Sequence, residues 1–195
     1  MSKKHSELAK MAGLAIIILA TFASLAVAQQ TVPFAVVGSG AGPTGLPLPG
    51  QPARMHWAVG VASQLGLYYG EGSVRTDSAT FNPDGTITGE FGSGDPFVFR
   101  GLSGKLATYY GRTDQGAANP GTFTLAVVGV APSGNPIVEA EWIAEFVVQG
   151  GQSTGRFRNA SGSWVMYAYS APFELGSSDP VHYWWYGAGL ITLRR

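Results

Sequence analysis

Three carboxylates stand at alternate or near-alternate positions in one stretch, Glu139, Glu141 and Glu145 of PIVEAEWIAEFVV. Side chains that share a face at this spacing are candidates for holding a cation or for acid–base work. Two histidines, His56 and His182, each follow or precede a tryptophan by one or two residues. With a glutamate they contain the donor types for zinc, but no HxH or HExxH spacing occurs. Asp77, Asp84, Asp95 and Asp114 fall in or near turns without the DxDxDG calcium spacing. GxSxG is absent, and Gly38–Gly42 is not followed by a helical pattern, so neither a hydrolase elbow nor a phosphate loop is expected. Cysteine is absent, which removes thiol nucleophiles, thiolate metal sites and disulfides. No catalytic constellation, cofactor or metal site is assigned.

The aromatic residues are the better ligand-binding candidates. Trp57, Trp142, Phe146, Trp164, Tyr167 and Trp184 are taken as residues that line an interior and meet an apolar ligand, with Trp185 beside them. The simpler reading is an ordinary packed core plus a subunit contact.

The elements that would position these groups are strands. In Ile137–Val148 the even positions are Val138, Ala140, Trp142, Ala144, Phe146 and Val148, and the odd ones carry all three glutamates. Strand side chains alternate with period two, so one face is apolar and the other wet. The wet face is the expected fate of Glu139, Glu141 and Glu145. Trp57, Val59, Val61 and Leu65 form a second alternating set, opposed to Ala58, Gly60 and Ala62. Phe81–Thr86 (FNPDGT) has hairpin-turn chemistry, and further turns are expected at Gly101–Gly104, Asn119–Gly121 and Pro132–Pro136. Thr31–Val37 reads as a short strand and Gly38–Pro52 as a Gly/Pro-rich loop or arm. Gly155–Asn159 and Gly162–Tyr169 read as continuing the sheet, and Val181–Leu193 as a final aromatic strand. Eight to eleven short strands with regular turn signals favour an antiparallel barrel or sandwich.

The chain has 195 residues, 28 of them Gly and 12 Pro, and only 12% are charged. Met1–Ala28 reads as a secretory signal peptide: Lys3, Lys4 and Lys10, the apolar Ala12–Val27, then Ala26-Val27-Ala28 as a small-x-small cleavage site. The expected organisation is a signal peptide over residues 1–28, a strand and arm over 29–53, and a β-barrel domain over 54–195. Removing residues 1–28 takes away three of 12 basic and one of 12 acidic residues, leaving a net charge of −2. That charge offers no basic face to nucleic acid, and no stable membrane span is expected after cleavage. The expected location is periplasmic or secreted.

Thr154–Trp164 (TGRFRNASGSW) resembles the TGxFxxAxG signature of the allene oxide cyclase and dirigent superfamily. With the Ala62–Gly66 strand and the C-terminal aromatic strand it also resembles uncharacterised secreted bacterial β-barrel proteins of that pattern. Leu102–Lys105 stands where those proteins carry an acidic turn, and Gln64 where a His is common. The resemblance implies an all-β fold, a closed antiparallel barrel of about eight strands (allene oxide cyclase-like or calycin-like). It also implies a lumen for apolar or phenolic small molecules and a tendency to trimerise. It transfers no active-site residue. In the residues themselves, Gly155 and Gly162 suit a tight corner that turns Phe157 inward and leaves Arg156 and Arg158 outside.

Three functions follow as expectations. One is a non-catalytic exported barrel that binds a small apolar or aromatic molecule. The second is a cyclase- or isomerase-like enzyme. The third is a structural, oligomeric envelope protein. A ligand-holding barrel should contain an apolar cavity of about 300 Å³ or more. An enzyme should in addition place an ionisable residue inside, with its pKa disturbed by burial. Glu139, Glu141, Arg100 or Lys105 facing inward would point to it.

Overall fold

A computed structural model of the chain describes residues 29–42 and 45–194. The expected signal segment lies outside the described residues. Eleven strands run in chain order: β1 (Gln29–Gly42), β2 (Arg54–Ala62), β3 (Gly66–Phe81), β4 (Ile87–Ser93), β5 (Phe97–Gly101) and β6 (Gly104–Tyr110), then β7 (Gly121–Val130), β8 (Pro136–Val148), β9 (Ser161–Ser170), β10 (Phe173–Glu174) and β11 (Val181–Arg194). Among the described residues there is no α-helix, only short 3-10 turns, and no helix long and apolar enough to cross a membrane.

The sheet is antiparallel and closes on itself. Eight strands form a ring in the order β1, β2, β3, β5, β6, β8, β9, β11 and back to β1. β4 and β7 make a second bridge between the long strands β3 and β8. β3 reaches both bridges because it is long: Tyr68–Glu71 pair with β5 and Val74–Phe81 with β4, the latter pairing shifting register between Thr76 and Ser78, where an extra residue bends the strand. The β3–β4 hairpin closes through the expected FNPDGT turn. There the Asp84 carboxylate accepts hydrogen bonds from the Thr86 amide at 2.9 Å and its hydroxyl at 2.7 Å.

Alternation decides the inside. In β8, Val138, Ala140, Trp142, Ala144, Phe146 and Val148 are all buried, whereas Glu139 and Glu141 are exposed. Aromatic rings fill the middle of the ring: Phe99 stacks on Trp185 at 5.7 Å, and Phe146 on Trp164 at 5.4 Å.

Three segments differ from the sequence expectation, the first being residues 63–65, read as part of a strand, which form the turn between β2 and β3. Gly38–Gly42 is strand, not loop, and pairs with both β2 and β11. Its glycines admit the interior side chains: a Cβ on Gly40 would lie 2.0 Å from the Trp57 carbonyl oxygen and 2.7 Å from the Tyr183 hydroxyl. Gly155–Phe157 is a 3-10 turn, not strand, with Gly155 at φ +60°. This turn still buries Phe157 completely and leaves Arg156 and Arg158 exposed.

Candidate functional site

At one end of the ring, where β2 and β11 begin, the packing opens into a chamber with about 70 Å³ of free space. Its walls are apolar: Phe91, Phe97, Trp142, Phe146, Met166 and Trp185, with Leu46 at the edge. Asp, Glu, Lys and Arg do not line it. The polar exception is His56, flanked by Tyr110 and Tyr183.

His56 arrives there by parity. It shares the inward face of β2 with Ala58 and Ala62, whose small side chains leave room for large rings from other strands. Its Nδ1 lies 2.9 Å from the Tyr183 hydroxyl and its Nε2 2.8 Å from the Tyr110 hydroxyl. The Tyr110 hydroxyl is also 3.0 Å from the Ser73 carbonyl oxygen, and the Tyr183 hydroxyl 3.0 Å from that of Trp57. The Phe97 ring packs on the imidazole with centroids 5.0 Å apart.

This row has four hydrogen-bonding contacts in sequence: carbonyl, phenol, imidazole, phenol, carbonyl. Each contact needs one proton. A neutral imidazole and two phenols supply only three. In either neutral tautomer one phenol donates to the ring nitrogen and leaves its backbone carbonyl unmatched, while the other phenol accepts from the ring and donates to its carbonyl. An imidazolium would supply the fourth proton, but burial in apolar surroundings lowers the His56 pKa to about 4. The ring is therefore neutral at pH 7 and carries one basic nitrogen. Burial also pushes both tyrosines above their ordinary range.

Of the aromatic candidates, Trp142 and Phe146 line the chamber. Trp164 is inside but deeper, against Phe34 at 4.4 Å and Phe99 at 5.8 Å. Trp57, Tyr167 and Trp184 correct the expectation, for they lie on the outer face. In β2, β9 and β11 the inward parity belongs to Ala58, Ala168 and Trp185 instead. The chamber is also smaller than the 300 Å³ expected of a ligand-holding lumen, because the packed rings occupy the rest. His182 is exposed on β11, apart from His56. Arg100 forms an ion pair with Glu71 on the outside, and the Glu145 carboxylate accepts the Ala118 amide at 2.7 Å. Sequence reasoning weighed His56 only as a metal ligand and did not single out Tyr110 or Tyr183. The usable signal was the small-residue parity of β2, which puts a histidine on the side of the alanines.

No protein-family model, curated protein or solved structure matches this chain.

Proposed function

We propose that the protein is an exported, closed β-barrel that binds a small apolar or aromatic molecule of about one ring in the chamber beside His56. The observation that carries this reading is the single polar row in an otherwise apolar chamber. Such a site orients a ligand by one hydrogen bond and leaves the rest to apolar contact. The row is one proton short, which makes a hydrogen-bond donor, such as a phenol hydroxyl, the complementary head group. The free space restricts the ligand to a small body, since a water needs only about 10–15 Å³ by the same measure. The resemblance to the allene oxide cyclase and dirigent superfamily supports the same ligand class.

The test is titration of the full chain with phenol, followed by tryptophan fluorescence, beside mass spectrometry of co-purifying small molecules. Saturable phenol binding that weakens about tenfold in His56→Phe is expected. Benzene binding as tightly as phenol, or phenol failing to saturate, contradicts the reading.

One observation favours a second reading, an isomerase or cyclase. His56 is an ionisable interior group of the kind such an enzyme needs, and a proton from a bound carbon acid would pass to the oxygen of the phenol that donates to the ring while that phenol's own proton moves to the ring nitrogen. His56-dependent exchange of a ligand C–H in D2O tests it. Arg100, Lys105, Glu139 and Glu141 do not contribute, since all face outward or lie on the outer surface. A structural oligomer draws support from the exposed cross-strand row Val37, Val61 and Leu67. Light scattering at micromolar concentration tests that reading, with a trimer expected and a monomer against it.

A further inference from the structure

The outer face of β7, β8, β9 and β11 carries a second site, built from different residues. Strand register sets Thr124, Glu141, Tyr169 and Trp184 in one cross-strand row. The next row holds Ile143, Tyr167 and Tyr186. The four rings stand nearly parallel: Trp184 to Tyr169 at 6.2 Å, Tyr169 to Tyr186 at 6.4 Å, and Tyr186 to Tyr167 at 5.4 Å, all within 22° of coplanar alignment. Trp184 ends this ladder and is 52% exposed.

Beside it opens a groove of about 430 Å³, with Trp184 and Tyr169 on one wall, Glu139 and Glu141 along the strand beneath, and Thr124 opposite. The groove has no Lys or Arg in its lining. Three ion pairs form among the described residues, Arg75–Asp77, Arg100–Glu71 and Arg112–Asp114, and neither Glu139 nor Glu141 belongs to one. Both carboxylates are exposed and two residues apart on one strand face, so their side chains emerge about 7 Å from each other. Among the described residues no Lys or Arg pairs with either carboxylate, and the Tyr169 phenol is the neutral group beside Glu141. The phenol of Tyr169 is raised to about 12, first by its hydrogen bond to Tyr186, then by desolvation, and last by the charges of Tyr186 and Glu141 and a hydrogen bond to Glu141.

We propose that this groove binds a small organic ammonium ion, held between the Glu139 and Glu141 carboxylates and the Trp184 indole. A compact cation on an apolar frame satisfies every feature of the groove at once. Its charge relieves the two carboxylates, and its alkyl surface covers the indole by cation–π and apolar contact. A neutral sugar would stack on the ring but would leave the two negative charges as they are. This site is independent of the interior chamber and stands or falls separately.

The experiment titrates the full chain with choline chloride at constant ionic strength and reads tryptophan fluorescence. The neutral isostere 3,3-dimethylbutan-1-ol and cellobiose serve as comparisons. Choline is expected to saturate and to bind at least about tenfold more tightly than the neutral alcohol. A Glu139→Gln, Glu141→Gln double variant should weaken choline by about tenfold and leave the alcohol unchanged. Trp184→Leu should abolish the fluorescence response. Equal binding of choline and the alcohol, cellobiose binding where choline does not, an unaffected double variant, or no saturation by choline would each overturn the proposal. The choline–alcohol comparison uses the unaltered chain, so it decides even if a variant misfolds.

Discussion

Trp184 and Trp185 are neighbours in β11 with opposite fates. Trp185 is 4% exposed and stacks on Phe99 inside the ring; Trp184 is 52% exposed and stacks on Tyr169 outside it. Inside, a ring is held by packing on every side and its removal leaves a void. Outside, a ring leans on one neighbour and its removal lets water in. The two faces of one strand therefore serve different ends, the inner face for stability and the His56 chamber, the outer face for the aromatic groove.

The sharpest break in this comparison is truncation of each indole in turn. Trp185→Ala should cost roughly 3–5 kcal/mol, because the void cannot collapse against a closed ring. Trp184→Ala should stay within about 0.5 kcal/mol. Urea denaturation of the two variants measures both, and equal losses would contradict the division of faces.

Acidification comes next. An imidazole in the unfolded chain titrates near 6.5, and His56 in the folded chain near 4. Between those values the unfolded chain holds the extra proton. Stability is thus full above about pH 6.5 and declines as pH falls toward 4, by up to about 3 kcal/mol. His56→Phe should flatten that decline in urea midpoints taken across the range. A flat profile in the unaltered chain would mean that the fourth hydrogen bond gained on protonation cancels the burial cost.

A smaller effect is expected at Gly40. Its substitution by Ala drives a Cβ into the Trp57 carbonyl oxygen and should cost roughly 1–3 kcal/mol, read as a lowered thermal midpoint. The smallest interior effect is Trp164→Phe. The Trp164 indole N–H is buried without a hydrogen-bond partner, so no hydrogen bond is lost and the cost is the small void left by the smaller ring, roughly 1–2 kcal/mol by urea denaturation.

The β8 stretch was fully legible in the sequence, because glutamates at odd positions leave only one face that can be buried. The FNPDGT turn was legible for a similar reason: its Pro, Asp and Gly each perform a local task. β2 and β11 were not. They carry apolar residues at both parities, so period alone does not say which set faces in. Trp57, Val59 and Val61 look like the core by size, yet the alanines take the interior because it is already filled by Phe97, Phe99, Phe146 and Trp185. That choice is made by other strands and is invisible locally. His56 was hidden by the same ambiguity, and its tyrosine partners lie 54 and 127 residues away.

The most direct test of the account is nitrogen-15 NMR of the His56 imidazole in the full chain, titrated from pH 8 to pH 4. The account predicts a neutral ring throughout most of that range, protonating only near pH 4, with both ring nitrogens shifted by hydrogen bonds to the Tyr110 and Tyr183 hydroxyls. An imidazole that titrates near its ordinary 6.5, as a solvated side chain does, would contradict the enclosed His56 row.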